Sequence, residues 1–359
     1  ILSGEAHVEM RKFAELTGIP VASTLMGLGA FDPEHPQSLY WFGMHGTVVG
    51  NWAVCESDLL ICAGARFDDR ITGKVGMFAT EATVVHFDLD TSEHNKNKHA
   101  HLPIHSDVKY ALGRMNEMIE AGRFQKPDLS GWLDRIGKWK KEHPFPFDFK
   151  EGVHITSQEA VKVLYEETGG DAIITTGVGQ HQMWASQYWK FDHPYTWINS
   201  GGLGTMGFSI PAAIGAKVAH PDRMVWAVDG DGCFQMTAQE LVTATVEDIP
   251  IKVALLNNSY LGMVRQWQEM FYEERYSEVF LSKDVPDYKM WAESMGCVGI
   301  RVDDPDEVEV AIAKANEVDD RPVVIDFRVA AAEKVYPMVP SGATNSDLVV
   351  PPSQQHQPR

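Results

Sequence analysis

Two short polar clusters stand 24 residues apart, Gly230-Asp231-Gly232 and Asn257-Asn258. Each follows an apolar run, Met224 to Val228 and Ile251 to Leu256. A carboxylate and an amide oxygen are hard donors, suited to an octahedral cation such as Mg²⁺ that keeps waters and bridges to phosphates. Gly230 and Gly232 let backbone N–H groups come close to those phosphates where a helix starts. Between the clusters, Thr237 and Glu240 have capping-box spacing, so a helix is expected to open at Thr237. A strand–helix–strand unit with a right-handed crossover puts both strands in one parallel sheet. Asp231 and Asn258 then emerge together at the carboxyl ends of the strands, where open α/β sheets bind ligands. Gly-Asp-Gly alone also makes an ordinary tight turn; the paired asparagines one strand later give the metal-diphosphate reading its weight.

The elements that must hold these groups read as α/β throughout: two doubly wound domains with mainly parallel sheets and flanking helices. Strand-like runs are Val21–Thr24, Leu59–Ala63 and Val84–Leu89 in the first half. In the second they are Ala172–Thr176, Tyr195–Asn199, Met224–Val228, Ile251–Leu256 and Val323–Val329. Residues 1–122 form the first expected domain and 153–345 the second, with a helix opened by Thr156 and Glu159. Residues 123–152 read as a connector packing on both, with Trp132 and Trp139 on an amphipathic helix that ends before His143-Pro144. Residues 346–359 read as a disordered tail.

The 359 residues carry a net charge of −19, which argues against nucleic acid or an anionic membrane as partner. The same field repels anionic cofactors, so local arginines, N–H groups and metal must hold them. Four cysteines without paired spacing read as reduced thiols, and with no apolar run of spanning length the expected location is cytoplasmic, or plastid behind a leader.

Long, ordered motifs carry a resemblance. Thr175 to Ala185 (TTGVGQHQMWA), Ser200 to Ala216 (SGGLGTMGFSIPAAIGA), GDGCFQMTAQEL from Gly230 and LNNSYLGMVRQWQEMFYEERYS from Leu256 resemble the cofactor-binding domain of the acetohydroxyacid synthase (acetolactate synthase) family. Thr24 to Phe31 (TLMGLGAF), Gly43 to Thr47 (GMHGT) and Gly64 to Gly73 (GARFDDRITG) resemble its middle, FAD-carrying domain. The resemblance implies thiamin-diphosphate-dependent decarboxylation of pyruvate. Condensation with a second pyruvate or with 2-oxobutanoate then gives 2-acetolactate or 2-aceto-2-hydroxybutanoate, toward valine, leucine and isoleucine. Alternatives left open are pyruvate oxidase, glyoxylate carboligase and a non-catalytic cofactor-binding module.

By the same resemblance, Val178, Gly179, Gln180, His181, Gly204, Met206, Gly230, Asp231, Gly232, Cys233, Asn258, Tyr260, Gly262 and Met263 contact thiamin diphosphate. Met206 props the aminopyrimidine, and the Tyr260 carbonyl joins Asp231 and Asn258 on Mg²⁺. Arg70, Met263, Val264 and Trp267 line the substrate site, with Trp267 favouring 2-oxobutanoate; helix-core packing is the bland alternative for the apolar three. FAD contacts map onto Thr24, Leu25, Met26, His45, Gly64, Ala65, Arg66, Asp68, Arg70, Asp88 and Asp107. No GxGxxG supports that site, and from spacing alone Arg66 and Asp88 are equally strand-end surface groups. Expected partners are a homodimer or tetramer of large subunits and a small regulatory subunit. The activating glutamate is expected in an N-terminal domain outside this sequence, leaving an apolar patch at Met206, Met263 and Trp267 and the chain alone inactive. His94, His99, His101 and His105 lack zinc-site spacing and read as exposed polar groups.

Overall fold

The computed structural model describes residues 1–146 and 154–354. Residues 1–146, 191–194 and 336–354 form one compact unit, and residues 154–190 and 195–335 a second.

The first unit opens with α1 (His7–Thr17), stopped by Gly18 in the left-handed region at φ 79°. Strands β1 (Val21–Ser23) and β2 (Ser38–Trp41) form a parallel pair. Helix α2 (Val48–Cys55) starts where the Thr47 hydroxyl accepts the Gly50 N–H. β3 (Leu59–Ala63), the turn of helix α3 (Asp69–Thr72), β4 (Thr83–Asp88), β5 (Leu102–His105), α4 (Val108–Glu120) and α5 (Ser130–Glu142) follow. β3, β4 and β5 make a second, three-stranded parallel sheet in that order. The expected parallel α/β character holds, but the first unit divides its strands between two small sheets. β2 and β5 went unread because both are four residues long and carry polar or proline positions.

Two expected boundaries are corrected. The helix expected in the connector forms as α5, yet it belongs to the first unit, where Ile136 and Trp139 bury against Leu39, Val48 and Trp52. Trp139 meets Trp52 edge-on at 5.5 Å, and Arg135 lies 4.6 Å over its ring. The second domain was expected to run to residue 345, but residues 336–345 pack in the first unit: buried Asn345 donates to Asn51 Oδ1 and the Ile71 carbonyl, both at 2.7 Å. Residues 346–354, expected to be disordered, are also packed there. Val349 bridges Met338, Leu348 and Val350 pack on the α2–α5 core, and buried Gln354 faces His143 Nδ1 at 3.3 Å. The remaining connector residues, 147–152, the residue 153 expected to begin the second domain, and tail residues 355–359 lie outside the described residues.

In the second unit, α6 (Ser157–Glu167) carries the complete expected capping box of Thr156 and Glu159. Then come β6 (Ile173–Thr176), α7 (Gln180–Tyr188), β7 (Trp197–Asn199), α8 (Ser209–Ala219), β8 (Val225–Gly230), α9 (Asp231–Thr237), α10 (Glu240–Val246) and β9 (Lys252–Asn257). The unit closes with α11 (Gly262–Phe271), α12 (Tyr288–Ser294), β10 (Val298–Val302), α13 (Val308–Asn316) and β11 (Val323–Arg328). All six strands are parallel, in the order β10-β11-β9-β8-β6-β7. β8 and β9 are buried along their whole length, as a parallel sheet covered on both faces requires. Ile210 and Ala213 of α8, Phe234 of α9, Leu241 of α10 and Ala292 of α12 pack on Val225, Val253 and Val324 of the sheet. The helix after β8 does not open at Thr237. It starts at Asp231, directly behind Gly230, and the Thr237 hydroxyl at its far end donates to the Gly207 carbonyl at 2.8 Å.

Candidate functional site

After β6 the chain steps outward to β7 and returns to the other side of β6 as β8, so the carboxyl ends of β6 and β8 flank a switch point in strand order. The segment after β6 carries Val178 to His181, that after β8 carries Asp231 to Cys233, and that after β9 carries Asn258 and Tyr260. Asp231 and Asn258 thus follow the carboxyl ends of two neighbouring parallel strands, the position the strand–helix–strand reading expects.

Asp231 is 2% exposed. Its Oδ1 accepts the Gly232 N–H at 2.9 Å and its Oδ2 the Ser259 N–H at 2.6 Å. Burial nevertheless pushes its carboxyl up to about 7, against the pull of those two N–H groups. A divalent cation beside it would hold it ionised. Ser259, at φ 64°, turns the chain, and Asn258 Oδ1 accepts the Tyr260 N–H at 3.0 Å. The amide of Gln180 reaches Asn258 Nδ2 at 3.5 Å.

The glycines are fixed by close approach. A Cβ on Gly262 would stand 2.1 Å from Gln180 Oε1 and 2.8 Å from Asn258 Nδ2, and one on Gly230 would stand 2.6 Å from His181 Nδ1. A Cβ on Gly232 would meet Leu261 at 2.7 Å and the Met206 methyl at 3.5 Å. Gly204 is different: a Cβ there would stand an ordinary 3.8 Å from Val178, and its φ of 65° is what favours glycine. Residues from four loops thus converge on one crevice. Cys233 sits behind it, its thiol exchanging hydrogen bonds with the N–H and carbonyl of Val178. Burial pushes that thiol up to about 12, which makes it a packing group and not a nucleophile.

The comparison with known families meets this crevice directly. Residues 177–327 match the thiamine pyrophosphate enzyme C-terminal TPP binding domain, and residues 1–115 match the thiamine pyrophosphate enzyme central domain. The chain belongs to the thiamine pyrophosphate enzymes. It is 50% identical over 351 residues to the acetolactate synthase large subunit of Corynebacterium glutamicum, covering 97% of this chain and 56% of that protein. It is 48% identical over 355 residues to acetolactate synthase of Mycobacterium leprae, covering 97% and 56%. Acetolactate synthase 1, chloroplastic, of Nicotiana tabacum is 47% identical over 352 residues, covering 96% and 52%. The chain spans about half the length of the curated relatives it matches. No helix among its described residues is long and apolar enough to cross a membrane.

Around the crevice of this thiamine pyrophosphate enzyme, α11 presents Met263, Val264 and Trp267. Met206, Met263 and Trp267 are half-buried and Val264 is exposed; Trp267 rests edge-on against Phe271 at 5.5 Å. Two buried groups escaped the sequence reading. Asp229 is fully buried, takes the Ser209 hydroxyl at 2.5 Å, and lies 3.6 Å from His181 Nε2. Burial raises its carboxyl to about 7 and lowers the His181 imidazole to about 3, so the imidazole is neutral and the two do not form an ion pair. Gln266 is 1% exposed; its Oε1 accepts from Gln180 Nε2 (2.9 Å) and the Val335 N–H (2.8 Å), and its Nε2 donates to the Val335 carbonyl (3.0 Å). An amide on the α11 face that carries Met263 was the available signal, since a buried glutamine must be held by partners.

In the first unit the FAD candidates divide. Thr24, Met26, Gly64 and Ala65 line one cavity of about 320 Å³. Leu25 forms the short 3-10 turn beside it. Asp88 ends β4, with Oδ1 on the Asp90 N–H, and Asp107 caps α4 through Oδ1. Arg66 and Asp68 lie 3.9 Å apart at the surface. His45 is buried with Nδ1 against the Pro337 carbonyl at 3.0 Å, while Arg70 is exposed and pairs with Asp69 at 3.5 Å. His99, His101 and His105 are exposed, as expected; His94 is half-buried and stacks edge-on against His86 at 5.1 Å.

Proposed function

We propose that this chain forms part of an acetolactate synthase catalytic subunit, joining two pyruvate molecules, or pyruvate and 2-oxobutanoate, with thiamin diphosphate held through Mg²⁺ in the β8–β9 crevice. The observation behind this reading is the Ser259 N–H on Asp231 at 2.6 Å, which brings the Asn258–Tyr260 turn onto the buried carboxylate. The donors are all hard: Asp231 carboxylate, Asn258 Oδ1 and the Tyr260 carbonyl. The buried Asp231, raised toward neutrality, and the glycine cradle at Gly230, Gly232 and Gly262 both fit a metal-bound diphosphate. Thiamin diphosphate supplies, when bound, a stabilised carbanion centre that water alone does not provide.

The chain's own residues bind and orient. Asp231 and Asn258 hold the cation. Gln180, kept in place by Gln266 and the Glu333 carbonyl (3.0 Å), keeps the Asn258 amide oriented. Met206, beside Gly232, offers an apolar prop to the organic part of the cofactor. Trp267, with Met263, forms a wall that discriminates acceptors by size. FAD in a structural role fits the first unit, where Gly64, Asp88 and Asp107 stand at or just beyond the carboxyl ends of β3, β4 and β5. Partners on this reading are further large subunits and a regulatory subunit.

Titration of thiamin diphosphate with Mg²⁺ into the purified chain, followed by calorimetry, tests the site. Binding that is unchanged by omitting Mg²⁺ sinks the assignment. An acetolactate assay on a polypeptide of the curated relatives' full length that contains this chain tests the reaction.

A further inference from the structure

Behind the proposed diphosphate crevice, three buried groups of different chemistry meet. His181 stands in the first turn of α7, Asp229 near the end of β8 and Cys233 in the first turn of α9. One donor atom from each, an imidazole nitrogen, a carboxylate oxygen and the thiol sulfur, lies within 4.8 Å of the other two. No other trio of histidine, cysteine and acidic side chains comes together so closely among the described residues. His181 is 7% exposed, Asp229 0% and Cys233 1%, so little water reaches any of them.

The three groups do not satisfy one another. His181 Nε2 is buried and has no hydrogen-bond partner among the described residues. Asp229 Oδ1, 3.6 Å away, is too far to accept from it. A buried polar atom left unpaired costs about 1–3 kcal/mol, and each such atom in a folded protein calls for an explanation, an ion among them. Glycine keeps the space beside these groups open. A Cβ on Gly177 would stand 2.3 Å from Asp229 Oδ1 and 2.9 Å from Cys233 Sγ, so any other residue would crowd both donors.

We propose that His181, Asp229 and Cys233 form a binding site for a thiophilic divalent cation such as Zn²⁺, separate from the hard-donor site at Asp231. Thiolate, imidazole and carboxylate are donors that zinc takes, whereas Mg²⁺ keeps to oxygen. Metal–donor distances of about 2.0–2.3 Å in a tetrahedron put neighbouring donors about 3.3–3.7 Å apart, and the 3.6 Å between His181 and Asp229 already falls there. The surrounding hydrogen bonds suit the ligating forms. Asp229 Oδ2 accepts the Ser209 hydroxyl at 2.5 Å, and Oδ1, which accepts the Gly230 N–H at 3.1 Å, keeps a lone pair for the cation. The Val178 N–H donates to Cys233 Sγ at 3.3 Å and continues to do so to a thiolate, while the thiol's own bond to the Val178 carbonyl at 3.1 Å is given up. On binding, the sulfur–metal bond forms as the S–H bond breaks, and the proton leaves to water. Three protein donors leave the fourth position to a water. The proposal holds whether or not the crevice takes thiamin diphosphate, because none of the three donors is a proposed Mg²⁺ ligand.

The test titrates Cd²⁺ and Zn²⁺ separately into the purified 359-residue chain, with neither Mg²⁺ nor thiamin diphosphate present. Each cation should bind in a one-to-one ratio, Cd²⁺ with a thiolate-to-metal charge-transfer absorbance. X-ray absorption of the Zn²⁺ form should show one sulfur among nitrogen and oxygen donors, with an imidazole in the shell. Cys233→Ser and His181→Gln should each weaken binding by more than about 100-fold, and Cys233→Ser should abolish the absorbance. Asp231→Ala should keep it. An absorbance that persists in Cys233→Ser puts the cation on Cys55, Cys62 or Cys297 and overturns the proposal. Loss of binding in Asp231→Ala overturns it by merging the two sites. Should a variant fail to fold, the unsubstituted chain decides: a zinc shell without sulfur, or no one-to-one binding, overturns the proposal. Neither result touches the Mg²⁺–thiamin diphosphate reading, which rests on its own calorimetry.

Discussion

At the carboxyl end of β8, Asp231 is 2% exposed and both its oxygens accept backbone N–H groups, one from its own turn and one from the turn after the neighbouring strand. At the carboxyl end of β4, Asp88 is half-buried; one oxygen serves the local Asp90 turn and the other lies 3.6 Å from His86. The two acids hold equivalent places in parallel sheets. In the second unit the turns that bear the proposed donors bond to one another, so the fold itself organises the proposed site. In the first unit Asp88 and Asp107 each accept N–H groups of their own turn, and a ligand would have to bring those turns together.

The largest effect that difference predicts is on cofactor affinity. Losing a partner of a metal ligand commonly costs about 10–100-fold in affinity, so removing a direct ligand should cost more. Asp231→Ala should therefore reduce Mg²⁺–thiamin diphosphate binding by more than about 100-fold, whereas Asp88→Asn should weaken FAD by less than about tenfold. Calorimetry with each cofactor gives both numbers. Equal losses at the two sites would remove the distinction.

The second effect concerns acid stability and belongs to the first unit. Burial lowers the His45 imidazole to about 4 from an ordinary 6.5, and the neighbouring Arg70 works the same way. The folded form holds the neutral ring, which accords with Nδ1–H donating to the Pro337 carbonyl. Because the folded value lies below the unfolded one, this stability is complete above pH 6.5 and is lost as pH falls toward 4. The loss should reach about 3 kcal/mol at full protonation, and His45→Gln should remove this acid dependence. Urea unfolding of both proteins at several pH values checks it; parallel curves would show that His45 does not titrate on folding.

The contrast between the units also governs what the sequence could disclose. Asp231 and Asn258 were legible because their turns must combine glycine, a donor and a fixed helix length in order. The capping role given to Thr237 failed because the helix begins at Asp231, six residues earlier, and Thr237 meets Gly207 instead. Asp229 was hidden beside the motif, since nothing in its type says that it is buried on Ser209. In the first unit the strand-end groups are ordinary polar residues, and only resemblance singled them out. Residues 336–354 misled for a different reason: their polar, proline-containing composition says nothing of Asn345 reaching Asn51 across 294 positions.

A smaller effect isolates the support behind the second unit's site. Gln266 fixes Gln180 and the Val335 backbone. Gln266→Leu leaves these buried groups without a partner, at a cost of about 1–3 kcal/mol in stability. It should also weaken Mg²⁺–thiamin diphosphate binding by about tenfold while leaving FAD affinity in the first unit unchanged. A Tm loss with undiminished thiamin diphosphate affinity would limit Gln266 to packing.

The smallest effect tests the wall and not the cradle. Trp267 is half-buried on α11 and rests against Phe271, apart from the hydrogen bonds that fix the proposed metal donors. Its removal should therefore spare the cradle and alter only what packs against it. The two proposed acceptors, pyruvate and 2-oxobutanoate, differ by one methylene, and an apolar pocket discriminates such a difference by about 1–3 kcal/mol. Trp267→Leu keeps the surface apolar while shortening it, so the preference for 2-oxobutanoate should fall by about tenfold, toward the lower end of that range. Thiamin diphosphate affinity should stay within about twofold of the parent, since no metal donor moves. The measurement is the ratio of 2-aceto-2-hydroxybutanoate to 2-acetolactate formed, with both acceptors present, by a polypeptide of the curated relatives' full length that contains this chain. An unchanged ratio would take Trp267 out of the acceptor wall; a changed ratio with equally weakened cofactor binding would make it part of the cradle, erasing the division between rigid donors and adjustable wall.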